Sequence, residues 1–314
     1  MPNLDLLKYF PENIFSILNT YLKEDEETKY AALEEIRLRA NKPIILRFND
    51  HEQVFKEKTS FEDILETMQY ICENSIYSYQ NQICNGYITI RGGHRVGVVG
   101  SSVMEKNKVI NMNYISGLNF RIAKQIIGCS DRLLKHVLNT EMGNIYNTII
   151  ISPPGAGKTT ILRDLIRQIS NGIKKSNFEG LNVGLVDERG ELAAMYKGIS
   201  QNDIGIRTDV IDNIPKAIGM KMLIRSMAPE VISADEIGGV EDVEAINYAI
   251  CSGIKGLFTA HGGSLEDISL NPALNNLLNS HIFERLIFLN SKGPRGEIEK
   301  VYSLNKKTSE YAEM

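Results

Sequence analysis

The sequence predicts an α/β fold in which a parallel sheet with flanking helices is preceded by a smaller α+β domain. After about residue 130, apolar strand-like runs alternate with helical segments, a pattern typical of parallel sheets with crossover connections. Before that point, short strands are separated by tight turns and by a glycine hairpin. Residues 126–131 read as a linker. We therefore expect an N-terminal α+β domain at 1–125 and a second domain at 126–314.

The first domain begins with helical sequence and continues with short strands. Ser60 and Asp63 have the spacing of a capping box, which predicts a helix that begins there and ends near Asn74. Gly92 and Gly93 supply the turn of a hairpin. The predicted elements are helices over 4–35 and 60–74, a short helix ending at 83, strands over 36–39, 44–46, 87–91 and 94–100, and a turn at 41–43.

The composition is that of an enzyme-sized globular chain. The sequence has 314 residues, of which 43% are hydrophobic and 24% charged, enough for two modest domains with their own cores. No apolar stretch approaches the roughly 20 residues of a membrane-spanning helix, and the first residues lack the pattern of a signal peptide. The four cysteines have no C-x-x-C spacing and the five histidines form no H-E-x-x-H motif. We expect neither a disulfide framework nor a zinc site.

The charge pattern argues against a nucleic-acid partner. The formal net charge is -4, and neither the first 130 residues nor the remainder has an excess of basic side chains. The chain has no tryptophan, and its aromatic residues are scattered. A groove for nucleic acid combines basic and stacking aromatic side chains. We therefore expect no nucleic-acid partner.

The most informative segment reads as a buried strand at 149–151, a small-residue loop and a helix. It matches the phosphate-binding pattern G-x-x-x-x-G-K-[ST], the Walker A motif, except that Ser152 takes the first glycine position. Loop amides and Lys158 would contact phosphates, and the Thr159 hydroxyl would ligate Mg²⁺. An ordinary glycine-rich turn is the alternative. The predicted nucleotide-binding residues are Ser152, Pro153, Pro154, Gly155, Ala156, Gly157, Lys158, Thr159 and Thr160.

A second motif lies downstream, where an apolar strand within 229–236 ends in Asp235 and Glu236. This is a Walker B pattern. Asp235 would hold Mg²⁺, which prefers oxygen ligands, and Glu236 would activate the attacking water. An acidic pair alone is more often a helix cap or a solvated loop. Together with Lys158, the pair indicates hydrolysis of a nucleoside triphosphate.

Three further side chains are candidates for the same site. Glu188 follows the strand after the Walker A helix, and His261 follows the strand after the Walker B helix, so both belong to carboxyl ends of strands, where ligands bind in such sheets. His261 would donate a hydrogen bond to phosphate, unless it is a structural loop histidine. Arg225 precedes the Walker B strand and would face phosphate or a neighbouring subunit, unless it is an ordinary arginine at a helix end.

Five segments together resemble the stage III sporulation protein AA family: EIRLR at 35–39, NGYITI at 85–90, GGHRVG at 92–97, LNFRIA at 118–123 and RTDV at 207–210. The resemblance covers nearly the whole chain. That family is similar to the hexameric ATPases of type II and type IV secretion, which implies a RecA-like P-loop ATPase domain. By this resemblance, residues 187–189 look like an acidic box and 259–262 like a histidine box. Secretion ATPases usually have glycine where Asp235 stands and Arg-Asp at 238–239, so their handling of Mg²⁺ does not transfer in detail.

The resemblance also implies cofactors, partners and a location. It implies ATP and Mg²⁺, a homo-hexamer, and a site completed by an arginine from the neighbouring subunit, with Arg91, Arg95 and Arg121 as candidates. It implies a mother-cell ATPase that energises or assembles a transenvelope sporulation channel between mother cell and forespore. Such a protein works on the cytoplasmic side, peripheral to the inner face of the membrane, with membrane-embedded channel proteins of the same operon. A nucleotide-gated scaffold with little hydrolysis and a RecA-like nucleic-acid motor remain as alternatives.

Overall fold

A computed structural model describes residues 4–290 and 292–314 of the chain. These residues form two compact units. The first contains the chain up to Lys124 together with Met195–Gln201, and the second contains Gln125–Ala194 and Asn202–Met314. The chain therefore passes from one unit to the other three times. The excursion at 195–201 is not foreseen by the sequence pattern, and the domain boundary between residues 125 and 126 stays a prediction.

The first unit is an antiparallel sheet covered by helices. Its elements are α1 (Glu12–Lys23), α2 (Glu26–Ala32), β1 (Leu33–Arg39), β2 (Lys42–Phe48), β3 (Glu52–Thr59), α3 (Phe61–Ile71), α4 (Gln80–Cys84), β4 (Tyr87–Thr89), β5 (Arg95–Glu105) and β6 (Lys108–Arg121), with 3₁₀ turns at Leu4–Tyr9 and Ile76–Tyr79. The strand order is β3-β2-β1-β6-β5-β4. Ile36 pairs with Leu46 and Phe120 on the neighbouring strands, and all three are fully buried. This row anchors the core beneath the helices.

The first unit departs from the sequence prediction in its strands. The predicted helix over 4–35 ends at Ala32, because Leu33 already belongs to β1. The turn lies at Ala40 and Asn41, where Asn41 has a left-handed φ of 60°, while Lys42 and Pro43 start β2. The capping box at Ser60 and Asp63 is present, but α3 ends at Ile71. Strand β3 was missed because its residues are mostly polar and exposed, so they lack the apolar alternation that marks a strand.

The second unit confirms the predicted parallel sheet with flanking helices. Its elements are α5 (Asp131–Val137), β7 (Leu138–Asn139), β8 (Asn144–Ile145), β9 (Thr148–Ser152), α6 (Lys158–Asn171), a 3₁₀ turn (Lys174–Ser176), β10 (Val183–Asp187), β11 (Thr208–Asp212), α7 (Lys216–Met227), β12 (Val231–Ala234), α8 (Val240–Cys251), β13 (Lys255–His261), α9 (Leu265–Ser269), α10 (Pro272–Asn279), β14 (Arg285–Leu289), β15 (Ile298–Asn305) and β16 (Glu310–Glu313). The sheet order is β11-β10-β12-β13-β9-β14-β15-β16. Strands β15 and β16 are antiparallel additions that the sequence analysis did not predict.

Strand order decides which loops meet in the second unit. Strand β9 lies between β13 and β14, and β12 lies between β10 and β13, all in parallel pairs. The loops that follow these strands therefore share the carboxyl edge of the sheet, where ligands bind in open α/β sheets. All five residues of β9 are buried, which makes the strand a rigid base for the Walker A loop.

The predicted linker at 126–131 is fastened to α6 by one buried carboxylate. Asp164 accepts hydrogen bonds from the backbone amides of Gly128 (3.1 Å) and Ser130 (2.9 Å) and from the Ser130 hydroxyl (2.7 Å). It also pairs with Arg167 at 2.7 Å, and its side chain is only 2% exposed. The segment that enters the second unit is thus tied to the helix that carries Lys158.

Within residues 4–290 and 292–314, every helix falls short of the length or the apolar character that a membrane span requires.

Candidate functional site

The Walker A loop joins β9 to α6 and contains two glycines with left-handed backbones. Gly155 has φ 80° and Gly157 has φ 96°, conformations that favour glycine. Ser152, at the first glycine position of the motif, has no such requirement, and its hydroxyl donates to the Pro153 carbonyl at 3.0 Å. The loop leads into the N-terminus of the 14-residue helix α6, whose dipole favours an anion. The geometry suits a phosphate chain, and a serine at 152 does not strain it.

The Lys158 ammonium lies over the loop that precedes it. Its Nζ donates to the carbonyl oxygens of Ser152 (2.7 Å) and Pro153 (3.1 Å). Burial lowers the pKa of Lys158 from its ordinary value, while the charges of Asp235 and Glu236 act in the opposite direction. A buried cation beside loop amides is a strong attraction for phosphate.

The two predicted Mg²⁺ ligands are in direct contact. Thr159 Oγ1 donates to Asp235 Oδ2 at 2.5 Å. Asp235 Oδ1 accepts from the Thr259 hydroxyl on β13, the strand that separates β9 from β12. In the part of the chain that the structure describes, no cluster of three or more His, Cys, Asp or Glu side chains could hold a metal. A hydroxyl and one carboxylate fit Mg²⁺, which takes its other ligands from water and phosphate.

Glu236 is held from three directions. Its Oε2 accepts from Arg189 Nη1 at 2.7 Å, and its Oε1 lies 3.1 Å from His261 Nε2. Its backbone amide donates to Thr259 Oγ1 at 2.7 Å. The φ of Glu236 is 51°, a left-handed conformation that costs free energy in a non-glycine residue and is often found at functional sites. The structure brings together the predicted Glu236 and His261 and adds Arg189.

Glu188 also lies at the carboxyl edge, beside Lys216, which the sequence analysis did not single out. It forms an ion pair with Lys216, the first residue of α7. The pair lines a small pocket together with Asp187, Arg189, Asp235 and Glu236. The signal for Arg189 was its place directly after two carboxylates at a strand end. No sequence pattern indicated Lys216, because its ion pair with Glu188 depends on where the fold places the start of α7.

Asp187 serves its own loop. Its carboxylate is buried and accepts hydrogen bonds from the amides of residues 191–194, the shortest at 2.8 Å from Glu191 and Ala193. These amides immediately precede the excursion of the chain into the first unit at Met195. Asp187 therefore shapes the loop and is not a ligand candidate.

Of the four arginine candidates, Arg225 belongs to the second unit. Arg225 is exposed in the last turn of α7, at the opposite end from Lys216, and so at the edge of the sheet away from Glu236. The structure does not bring it to the other candidates, and a contact with a neighbouring subunit stays a prediction. The other three belong to the first unit. Arg91 lies 3.6 Å from Asp5, Arg95 covers the Tyr87 ring at 4.1 Å, and Arg121 is exposed at the end of β6.

Known proteins resemble both the sequence and the fold. The family model described as sporulation stage III, protein AA, matches residues 11–309. Stage III sporulation protein AA of Bacillus subtilis (strain 168) is 37% identical over 299 residues, which are 95% of this chain and 94% of that protein. The ATPase DotB of Legionella pneumophila superposes with a TM-score of 0.60 at 13% identity, over 94% of this chain and 82% of DotB. The pilus retraction motor PilT with bound ADP gives a TM-score of 0.54 at 17% identity, over 85% and 76%.

The two kinds of similarity support different statements. The structural neighbours have low identity and show the fold alone, a RecA-like α/β fold that this chain shares with DotB and PilT. The family model spans most of the chain, and the Bacillus relative is similar over nearly its full length. The resemblance found in the five sequence segments is thereby confirmed. The chain belongs to the sporulation stage III protein AA family.

Proposed function

We propose that this protein hydrolyses ATP with Mg²⁺ in the site formed by the Walker A loop, Asp235 and Glu236. The observation that carries the proposal is the 2.5 Å contact between Thr159 Oγ1 and Asp235 Oδ2, next to the buried Lys158 ammonium. Two oxygen ligands beside a cationic, amide-lined loop are what a Mg²⁺–triphosphate complex needs. Family membership supports adenine as the base.

Each residue has a separate part in this mechanism. The loop amides and Lys158 bind the phosphate chain, and Thr159 and Asp235 hold Mg²⁺, which when bound neutralises charge on the phosphates. Glu236 accepts a proton from the attacking water, as a positioned general base. Arg189 and His261 fix the direction of the Glu236 carboxylate through its two oxygens. Positioning and electrostatics supply most of the catalysis in phosphoryl transfer.

The biological role is proposed from the family. We infer a homo-hexamer in which an arginine of the neighbouring subunit completes each site, and which energises or assembles the transenvelope channel between mother cell and forespore. Its partners would be the membrane-embedded channel proteins of the same operon, on the cytoplasmic side of the mother-cell membrane. Family membership and the fold shared with secretion ATPases support this role.

One observation also supports a second candidate, the nucleotide-gated scaffold. Both oxygens of Glu236 face hydrogen-bonding basic side chains, Arg189 and His261. An attacking water would have to share or displace one of these two hydrogen-bond partners to reach the carboxylate. For a scaffold, Lys158→Ala would abolish channel assembly, whereas Glu236→Gln would leave assembly intact.

The test of the proposed function is phosphate release from ATP by the purified full chain over a series of protein concentrations. We expect a Mg²⁺-dependent rate that rises more than linearly with protein, because the complete site requires a neighbouring subunit. Chelation of Mg²⁺ removes the rate. A wild-type rate no higher than that of Lys158→Ala would contradict hydrolysis by the isolated chain.

Arg189→Ala is expected to lower kcat by about 10-fold or more with little change in KM, because the Glu236 carboxylate loses one of its two side-chain partners and its aim. Arg189→Lys should recover part of the loss. Steady-state kinetics of both variants provide the measurement. The control is the Glu236→Gln background, where Arg189→Ala should have no further effect on kcat. An equal decrease in both backgrounds would show that Arg189 acts independently of Glu236.

A further inference from the structure

The loop between β14 and β15 lies at the same edge of the sheet as the Walker A loop. Strand β14 runs parallel to β9 and pairs with it from Arg285 to Phe288. The two loops therefore leave neighbouring strands at their carboxyl ends. The described part of this loop comprises residues 290 and 292–297, and none of them is among the candidate site residues.

A glycine fastens this loop to the Walker A loop. The Gly296 amide donates to the Ala156 carbonyl at 2.9 Å. Gly296 has φ +82°, and a Cβ at this position would approach Ile161 Cδ1 on α6 to 2.9 Å. The left-handed backbone favours glycine, and any side chain here would have to displace the end of the buried Ile161 side chain. The contact is therefore part of the fold.

The loop has an internal scaffold that fixes its shape. Asn290 Oδ1 accepts from the amides of Lys292 (2.9 Å) and Gly293 (3.1 Å), and Asn290 Nδ2 donates to Glu297 Oε2 at 2.9 Å. Glu297, the acidic side chain of this loop, is thus hydrogen-bonded to Asn290. The segment presents a defined surface beside the Walker A loop.

Two cations remain exposed on that surface, and one of them adjoins the Walker A loop. The Cβ of Arg295 lies 3.7 Å from the point where a Cβ on Gly157 would stand. Lys292 belongs to the same loop but has no such approach to the Walker A glycines. Among residues 4–290 and 292–314, neither side chain pairs with a carboxylate. The backbone and Cβ of Arg295 thus lie beside a phosphate-binding loop, and a guanidinium is matched to phosphate oxygens by its planar array of donors.

We propose that Arg295 is a nucleotide-binding residue, which contacts the phosphate chain of the bound nucleotide from within the same chain. The assignment rests on the proposed function, because it takes the Walker A loop as the phosphate site. In this assignment, the β14–β15 loop forms a second side of the phosphate-binding site. Because the phosphates common to ATP and ADP are the ligand, the effect of Arg295 is the same for both nucleotides.

The test compares the Kd values of ATP and ADP for the wild-type full chain and the variants Arg295→Ala, Arg295→Lys and Lys292→Ala, measured by calorimetry. Arg295→Ala should weaken ATP and ADP alike by about 10-fold, the value of one charge-assisted contact. Lys292→Ala removes the same charge from the same loop and should leave both Kd values nearly unchanged. Arg295→Lys should fall between wild type and Arg295→Ala. Circular dichroism confirms that each variant is folded.

Inorganic pyrophosphate as a competitor identifies the contacted group. If Arg295 binds the phosphate chain, Arg295→Ala weakens pyrophosphate binding as well. If Arg295→Ala weakens nucleotide binding but leaves pyrophosphate binding unchanged, the assignment is overturned. Arg295 would then contact the ribose or the base. Unchanged nucleotide affinity in Arg295→Ala, with normal wild-type binding, would overturn it outright. Wild-type protein that binds neither nucleotide would instead refute the proposed function.

Discussion

Replacement of Glu236 by glutamine is expected to lower kcat for ATP hydrolysis by about 10²- to 10⁴-fold, the usual contribution of a positioned general base. Glutamine has nearly the same shape and can still accept a hydrogen bond from Arg189, but it cannot accept the proton of the attacking water. The Kd of ATP should change little, because in the proposed mechanism the Walker A loop and Lys158, not Glu236, contact the phosphates. Single-turnover phosphate release and equilibrium nucleotide binding, measured on the same preparation, give the two quantities.

Glu188→Gln is the matched control for this substitution. Glu188 directly follows β10, the strand next to β12, and pairs with Lys216, so the same change of charge is made at the same edge of the sheet. If Glu236 is the base, Glu236→Gln has much the larger effect on kcat. Similar rates for wild type and Glu236→Gln would favour the nucleotide-gated scaffold over the ATPase.

Asp164→Ala is expected to lower the free energy of unfolding of the second unit by about 3 kcal/mol or more, the usual cost of breaking a buried, hydrogen-bonded ion pair. The substitution leaves the amides of Gly128 and Ser130 and the partly buried Arg167 without their shared acceptor. Urea unfolding followed by circular dichroism gives the difference. Asp131→Ala, an exposed neighbour that contacts Gln168, is the control and should cost far less.

The same carboxylate makes stability depend on pH. Burial would raise the pKa of Asp164, but hydrogen bonds from Ser130, Arg167 and Gly128 outweigh it, and the folded-state pKa lies below its ordinary value. The contribution of Asp164 is therefore complete above the unfolded-state pKa of about 3.9 and is lost as the pH falls through the folded-state pKa. Asp164→Asn should show a shallower loss of stability on acidification than the wild type. Parallel acid-unfolding curves would contradict this account.

The sequence patterns predicted those elements whose defining residues are adjacent in the chain. The buried strand β9, the glycine loop and α6 are specified by adjacent residues, and Asp235 and Glu236 end an apolar strand, so these parts of the site were accessible. Strands β15 and β16 are half-exposed antiparallel additions whose residues do not form a clear apolar run. Their place is set by pairing with β14, which local sequence does not reveal.

The parts of the site that were missed depend on strand order. Arg189 reaches Glu236 because β10 pairs with β12, and Thr259 reaches Asp235 because β13 is the next strand along. Neither neighbour relationship can be read from spacing along the chain. The closeness of Arg295 to Gly157 was missed for the same reason, since it depends on the pairing of β14 with β9.

The excursion at 195–201 determines the result of proteolysis or truncation between the two units. Within the first unit, Tyr196 donates to Glu73 at 2.5 Å, Lys197 pairs with the same carboxylate, and Gln201 accepts from the Gly92 amide at 2.8 Å. A protease that cleaves near residue 125 separates the chain into two fragments, and the C-terminal fragment keeps 195–201, which can hold the N-terminal fragment through these non-covalent contacts alone. A shortened chain that begins at residue 125 would keep these side chains and lose their partners. Replacing 195–201 with a short polar bridge would remove these unpartnered side chains from a chain that contains the second unit alone.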